Sequence, residues 1–289
     1  KLLPSFYFSR TAIKPYLSFG LYLSGSNLIN YFNSRIDQLA VGMLLGPQAL
    51  GYYTMAFNLV LQPVSRINPV LTQVAFPVLV RFKTNKDKLK HGYFMLLDVL
   101  TSINAPVLLG IATVSPLLLP IVMGPQWLPI IPLVQILCLF SLIRSTGNAG
   151  GSLILACGRA DLSLYWNLLL FTFIPLAVVT GAKLGNLHGV AWTLFGMQSL
   201  LVFAWYRIVV KRLLGDCFSE FIRAMLAPLL LSMVMVIAVF LVKPLTSILP
   251  NVMQVTIEII LGSSVYIGLC CFCRRAFVKN QLDIFLNRA

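Results

Sequence analysis

The chain has 289 residues, of which 58% are hydrophobic and 10% are charged, and its mean hydropathy is +0.88. These values lie far outside those of water-soluble domains, so the apolar surface is expected to face lipid. The formal net charge of +14 does not indicate nucleic-acid binding, because the basic residues are dispersed and no interleaved aromatic side chains could stack on bases. The composition therefore predicts an integral membrane protein.

Eight apolar stretches follow one another along the chain, and each exceeds the roughly 20 residues that about 30 Å of hydrocarbon requires. This pattern predicts an all-α, polytopic membrane protein with eight transmembrane helices. The predicted spans are Leu17–Leu45, Tyr53–Val80, Gly92–Leu119, Ile130–Ala156, Leu162–Ala182, Gly189–Val209, Phe221–Val242 and Val252–Cys273.

Positive charge falls almost entirely in alternate loops. Basic residues cluster after the second span, around the join of the sixth and seventh spans, and after the last one. The opposite set of loops contains only Lys183 and Lys243. By the positive-inside rule, this asymmetry predicts that both ends of the chain are cytoplasmic.

The first two predicted spans are polar along one side. Asn27, Asn30 and Gln38 fall on one arc of the first helix, opposite an apolar arc that can face lipid. The second span contains Gln62 together with several prolines, which are tolerated at membrane depth where protein or cavity water satisfies the freed carbonyls. Two half-polar helices side by side predict the wall of an aqueous cavity.

Arg35, Arg66 and Arg144 each fall well inside a predicted span, where an arginine is costly. Two interpretations remain open. Each arginine could be neutralised by a buried acid, the available ones being Asp37, Asp98 and Glu258. Alternatively, all three could line a water-filled chamber and bind an anion, since the planar guanidinium suits phosphate.

Asp37 lies on the polar arc of the first span, but its separation from Arg35 points the two side chains in different directions. It could pair with an arginine of a neighbouring helix, or it could be an ion-coupling site for a proton or sodium. Asp98 and Glu258 fall nearer to the ends of their spans and are expected to be interfacial or helix-pairing groups.

No catalytic residue, metal ligand set or cofactor is predicted, because none of the hydrolase, metalloprotease or nucleotide-binding motifs occurs. The glycine-rich run Gly147–Ser152 in the fourth span is instead typical of a close helix contact.

An ordered set of residues, dense over Pro15–Asn167, resembles the polysaccharide flippases of the multidrug/oligosaccharidyl-lipid/polysaccharide exporter superfamily, and most of all the colanic-acid exporter type. The set is Ser18-Phe19-Gly20, Asn30, Asp37, Gly42, Gly46, Ala49-Leu50-Gly51-Tyr52-Tyr53, Ala56, Pro63, Phe76-Pro77, Gln126-Trp127, Ala156-Cys157-Gly158-Arg159 and Asn167.

The resemblance implies a transporter of fourteen helices, in which two six-helix lobes enclose a central cavity and two further helices follow. Residues 1–15 would be a cytoplasmic interlobe linker, residues 16–212 the second lobe, and residues 213–289 the last two helices and a cytoplasmic tail. The chain is accordingly expected to be the C-terminal part of a longer protein. Its missing N-terminal lobe would then be a necessary partner.

The resemblance also implies an activity. Such flippases carry a lipid-linked oligosaccharide, on an undecaprenyl pyrophosphate carrier, across the bacterial inner membrane, so this substrate and the membrane lipids are the expected partners. Alternating access would move the substrate, with its phosphates against the three arginines and with Asn27, Asn30, Gln38 and Gln62 as further binding residues. The alternatives are a cation-coupled drug antiporter of the same superfamily, a membrane sugar polymerase or ligase, and a purely structural membrane subunit.

Overall fold

The computed structural model describes residues 10–246 and 249–273, and every regular element in these ranges is helical. The α-helices are α1 (Arg10–Asn33), α2 (Ile36–Arg81), α3 (Lys86–Met123), α4 (Ile131–Ser145), α5 (Gly147–Ala156), α6 (Ala160–Trp205), α7 (Lys211–Leu214), α8 (Phe218–Thr246) and α9 (Asn251–Cys273). A short 3₁₀-helix, Pro125–Ile130, precedes α4, and a π-helix, Tyr206–Val210, joins α6 to α7.

Within these described ranges, 5 helical stretches are long and apolar enough to cross a bilayer. The stretches are Lys86–Met123, Pro125–Ala156, Ala160–Leu214, Phe218–Thr246 and Asn251–Cys273. The chain is therefore an all-helical, multi-pass membrane protein.

Helix α2 reverses direction at Gly46, whose φ of 85° lies in the left-handed region that favours glycine. The hydroxyl of Tyr53 donates to a carboxylate oxygen of Asp37 at 2.8 Å. In a straight helix these residues would lie about 24 Å apart along the axis. The two parts of α2 therefore run back along each other as a helical hairpin.

Helix α6 reverses in the same way at Gly185 and Asn186, and Asn186 has a φ of 53°. The hydroxyl of Thr193 donates to the backbone oxygen of Ala177 at 2.7 Å, across the reversal. Gly181 and Gly189 meet so closely that a Cβ on either would overlap backbone atoms of the other helical arm. Small residues thus allow the two arms to pack backbone to backbone.

The predicted first span is wrong as a single continuous helix. Helix α1 ends at Asn33, a turn follows at Ser34 and Arg35, and α2 begins at Ile36. Arg35 is therefore the residue that precedes a helix, with φ −126° and ψ −18°, and not a residue inside one. Consequently, the relative direction of Arg35 and Asp37 that was predicted from their spacing in one continuous helix does not apply.

The interior is divided into two apolar clusters. In one cluster Tyr53 stacks on Phe57 with ring centroids 5.5 Å apart, and Phe140 lies against Phe57 at 6.4 Å. The second cluster surrounds Tyr93 and Trp205, nearer to the other ends of the helices. Helices α2 and α3, the α4–α6 segment and α8 contribute buried residues to both clusters.

Helices α8 and α9 pack beside α3. The hydroxyl of Tyr266 in α9 donates to the backbone oxygen of Ser102 in α3 at 2.7 Å. Asp98 and Glu258 are both buried, at 7% and 2% exposure, which agrees with the helix-pairing alternative predicted for them. Gln254 donates to Glu258 at 3.2 Å, one helical turn away. Helix α3 packs against both α8 and α9.

The first nine residues of the predicted linker, the tail from residue 274, and residues 247–248 lie outside the described residues. Every basic residue that follows the last predicted span is among them.

Candidate functional site

A row of small polar side chains joins α1 to the first arm of α6. The hydroxyls of Ser26 and Ser163 lie 2.7 Å apart. The amide nitrogen of Asn167 donates to Ser26 Oγ at 2.8 Å, and the amide nitrogen of Asn33 donates to the backbone oxygen of Asn167 at 2.8 Å. We call these four residues, Ser26, Asn33, Ser163 and Asn167, the polar ladder. Hydrogen bonds between helices are the contacts that hold α1 in a medium as apolar as its own side chains.

A cavity of about 380 Å³ lies beside the ladder, enclosed by α1, the α4–α5 segment and both arms of α6. Amides and hydroxyls from these helices provide much of its polar lining. The polar lining residues are Ser26, Asn27, Asn30, Asn33, Arg144, Thr146, Asn148, Ser163, Asn167 and Gln198. Such convergent polar groups in a concave site are typical of a ligand-binding cavity.

Arg144 provides the positive charge of this cavity. It is half-buried near the end of α4, 5.7 Å above the ring of Phe140. Thr146 follows it at the junction with α5, where the hydroxyl of Thr146 donates back to the oxygen of Ile143 at 2.7 Å. Among the described lining residues, no carboxylate accompanies the guanidinium. The cavity is therefore electropositive.

Asp37 lies close to this cavity without lining it. Its carboxylate is 4% exposed and accepts hydrogen bonds from the hydroxyl of Tyr53 and from the backbone nitrogen of Gln38, both at 2.8 Å. Arg144 is near enough to act on Asp37 electrostatically, but the two do not form an ion pair within the described part of the chain. Tyrosine and backbone donors, rather than arginine, satisfy this buried acid.

Two tryptophans belong to the cavity lining. Trp166 and Trp205 meet edge to face with ring centroids 4.7 Å apart. A Cβ on Gly150 would overlap the Trp205 ring, so only glycine allows this indole to lie against α5. The expectation that the Gly147–Ser152 run marks a close helix contact is thereby confirmed.

One buried polar atom of the cavity lining has no hydrogen-bond partner within the described residues. It is the amide oxygen of Asn33, on a side chain that is 3% exposed. Leaving such a group unsatisfied costs about 1–3 kcal/mol. A ligand or water in the cavity would offer the missing partner.

The predicted site residues separate into two groups. Arg144, Asn27 and Asn30 line the cavity. Arg35, Arg66, Gln38 and Gln62 do not line it: Gln38 is half-buried, and the other three are exposed at the turn before α2 or along α2. The structure thus does not bring the three arginines around one cavity.

Sequence reasoning missed Trp166, Trp205 and Gln198 as cavity residues, and it included Asn167 only as part of a resemblance. One signal was present. Small polar residues recur at helical spacing within apolar stretches, four apart for Ser163 and Asn167 and seven apart for Ser26 and Asn33. Recurrence of this kind indicates that two helices face each other through hydrogen bonds.

Two kinds of polar group therefore converge on one space within the membrane-spanning body. A guanidinium can bind a phosphate or carboxylate through two parallel hydrogen bonds. Asparagine and glutamine amides can both donate to and accept from hydroxyls. The arrangement suits a ligand that is anionic and rich in hydroxyls.

Comparison with known proteins adds a family. Residues 1–132 match the model of a family described as polysaccharide biosynthesis protein. The chain is 35% identical over 231 residues to the lipopolysaccharide biosynthesis protein WzxC of Escherichia coli strain K12, a match that covers 80% of this chain and 47% of that protein.

Two further relatives have names that concern other polysaccharides. The teichuronic acid biosynthesis protein TuaB of Bacillus subtilis strain 168 is 30% identical over 239 residues, covering 82% of this chain and 49% of that protein. The succinoglycan biosynthesis transport protein ExoT of Rhizobium meliloti strain 1021 is 21% identical over 285 residues, covering 97% and 57%. The chain thus spans about half the length of these curated relatives. No solved structure matches it.

The polar ladder can be tested by replacing Asn33 with leucine. We expect Asn33→Leu to lower the free energy of unfolding by about 0.5–2 kcal/mol, because the hydrogen bond to Asn167 is lost between two helices. Asn27→Leu is the matched control, since Asn27 is on the same helix but exposed. Thermal unfolding of the purified chain in detergent measures both. Equal destabilisation by the two variants would contradict the ladder.

Proposed function

Because the chain belongs, over the region that the family model matches, to the polysaccharide biosynthesis protein family, we propose that it is the second half of a lipid-linked oligosaccharide flippase. In this proposal the whole protein moves an oligosaccharide on undecaprenyl pyrophosphate from the cytoplasmic to the periplasmic leaflet of a bacterial inner membrane. Alternating access of two lobes around the bound substrate would drive the movement.

The observation that carries the proposal is the position of Arg144 inside a membrane-spanning stretch. It lies twelve residues before the end of the stretch Pro125–Ala156, about 18 Å along a helix. A cation at such depth is costly and is found where a functional partner or a wet cavity compensates it. Because the described lining contributes no carboxylate, an anionic ligand is the partner that best balances the charge.

The remaining lining fits the other part of such a substrate. Asn27, Asn30 and Gln198 carry amides that can exchange hydrogen bonds with sugar hydroxyls. Trp166 offers an apolar ring surface beside them. A drug antiporter that binds organic cations is disfavoured, because the cavity is positive. We propose that the pyrophosphate lies at Arg144 and the first sugar lies toward the amides.

We further propose that the chain crosses the membrane eight times with both ends in the cytoplasm. The reversals at Gly46 and at Gly185–Asn186 support this count, since each divides one long helix into two antiparallel arms. Distribution of the basic residues over alternate loops supports the orientation.

An exposed polar stripe on α2 is the surface that we propose faces the first lobe. Gln62, Arg66 and Gln73 are spaced four and seven residues apart, which puts them on one helix face, and all three are exposed. An exposed arginine and glutamines are poorly suited to lipid. We propose that this face, with Arg35 at the start of α2, lines the passage between this chain and the first lobe. The phosphates would meet Arg35 and Arg66 there.

Asp37 is the proposed ion-coupling residue. Its carboxylate is buried between the two arms of α2 and is held by Tyr53. The charge of Arg144 acts on it. A change in its protonation would therefore alter both the hairpin contact and the charge balance next to the cavity, as coupling requires.

Reporter fusions test the eight-span topology. We expect fusions at Lys86 and Cys217 to report the cytoplasm, and fusions at Gln48, Asn186 and Pro250 to report the periplasm. The fusions at Gln48 and Asn186 are decisive, because α2 and α6 would each cross the membrane only once if the reversals were absent. A cytoplasmic signal at either position would contradict the topology.

Substitution of Arg144 tests the anion site in the full-length protein. Arg144→Lys keeps the charge but loses the paired donors, so we expect reduced export of surface polysaccharide. Arg144→Ala should nearly abolish export while the membrane protein level is unchanged. Arg35 and Arg66, changed in the same way, should follow the same order if they meet the phosphates in the passage. Arg223→Ala, an exposed arginine of α8, is the control and should export normally.

A structural ion pair predicts a different result. Removing the arginine would then leave a buried acid without its partner, at a cost of about 3–5 kcal/mol, and the protein level would fall. Normal export by Arg144→Ala would contradict the anion site.

A further inference from the structure

A second pocket, separate from the cavity of Arg144, opens where α6 ends and α8 begins. It is lined by Phe203, Ala204, Tyr206, Arg207, Lys211, Asp216 and Phe218, and its volume is about 910 Å³. The pocket lies at the join of the two apolar stretches that end at Leu214 and begin at Phe218. A join between two such stretches is expected near the boundary between hydrocarbon and water.

The pocket has an excess of positive charge. Lys211 forms an ion pair with Asp216 at 2.7 Å. Arg207 is exposed and has no ion-pair partner among residues 10–246 and 249–273. Both Arg207 and Lys211 line the pocket, four residues apart along the chain. The one carboxylate of the lining, Asp216, balances only one of these two cations, so an anion would balance the other.

The backbone around the pocket is shaped by specific contacts. Arg207 lies in the π-helix Tyr206–Val210. This wider helical turn is rare in proteins overall, and where it occurs it is often found at a functional site. The hydroxyl of Tyr206 accepts a hydrogen bond from the backbone nitrogen of Cys217 at 3.0 Å, which fastens the loop before α8. Gly215, with φ 87°, allows that loop to turn. The mouth of the pocket is therefore held in place.

Its apolar side consists of aromatic rings that remain exposed. Phe203 and Phe218 are 54% and 45% exposed, with ring centroids 6.4 Å apart. Phe218 also packs edge to face on Tyr206 at 5.0 Å. Exposed aromatic rings next to cations form a surface that is apolar on one side and charged on the other.

We propose that this pocket binds an anionic phospholipid. The headgroup phosphate would lie between Arg207 and Lys211, and the first part of an acyl chain would lie against Phe203 and Phe218. Basic pockets at the ends of transmembrane helices bind anionic headgroups through this combination. A soluble phosphate would gain nothing from the two rings, so the lipid is the ligand that uses the whole pocket.

The proposal is independent of the transported substrate. Residues Leu201, Val202 and Trp205 face the cavity of Arg144, whereas Phe203, Ala204 and Arg207 face this pocket. The end of α6 therefore separates two sites with different ligands.

A lipid titration of the purified 289-residue chain tests the proposal. Detergent-solubilised protein receives phosphatidylglycerol or phosphatidylcholine, and native mass spectrometry measures the bound fraction. We expect tighter binding of phosphatidylglycerol, and a loss of about fivefold in that affinity for Arg207→Gln, since one interfacial cation is removed. Arg212→Gln is the matched control, because Arg212 is exposed in α7 but does not line the pocket.

A second variant and a competition experiment test the apolar side of the pocket and the identity of the ligand. Phe203→Ala should weaken lipid binding without changing the charge, and it replaces Arg207→Gln as the decisive variant if the latter fails to fold. Inorganic phosphate, added at up to millimolar concentration, should not displace the lipid. Equal losses for Arg207→Gln and Arg212→Gln, equal binding of the two lipids, unchanged binding by Phe203→Ala, or full displacement by phosphate would each overturn the proposal.

Discussion

The contact between α1 and α6 through the polar ladder is the interaction on which the rest of the site depends. In a bilayer no hydrophobic force presses two apolar helices together, so packing and hydrogen bonds must hold α1 in place. Ser26 meets Ser163 and Asn167 within 2.8 Å, and Asn33 meets the backbone of Asn167 at the same distance. Each bond contributes about 0.6 kcal/mol on average, so several along one helix are needed. Without them the cavity would lack the wall that α1 provides.

Arg144 lies in the same cavity that the contact between α1 and α6 helps to enclose. The α4–α5 junction brings the guanidinium to a cavity whose polar lining consists of amides, hydroxyls and indoles. Trp205 fits against α5 only because Gly150 has no side chain. The end of α6 and the π-helix that follows it also line a separate pocket, which contains Arg207. One segment thus borders both sites, and both have an excess of positive charge.

Hydropathy predicted most of the fold, because long apolar stretches such as those of α3, α8 and α9 have few alternatives to crossing a bilayer. Hydropathy did not predict that the first helix breaks at Ser34 and Arg35, because neither residue is a glycine or a proline, the residues that usually mark a helix end. It left open whether Glu258 is interfacial or lies in a helix contact, and the structure buries that side chain at 2% exposure. Asn33 was missed because its partner, Asn167, is 134 positions away, and no local pattern encodes which distant helix will face it.

Disulfide cross-linking in the membrane is the most direct test of the α1–α6 contact. In a chain whose six cysteines are replaced by serine, Ser26→Cys and Ser163→Cys should form an intramolecular disulfide on mild oxidation, because the two hydroxyls lie 2.7 Å apart. Leu28→Cys paired with Ser163→Cys is the control, since Leu28 is 60% exposed on α1. Rapid cross-linking of the first pair and little of the second is the predicted result. Equal cross-linking of both pairs, or none of the first, would contradict the structure of the site.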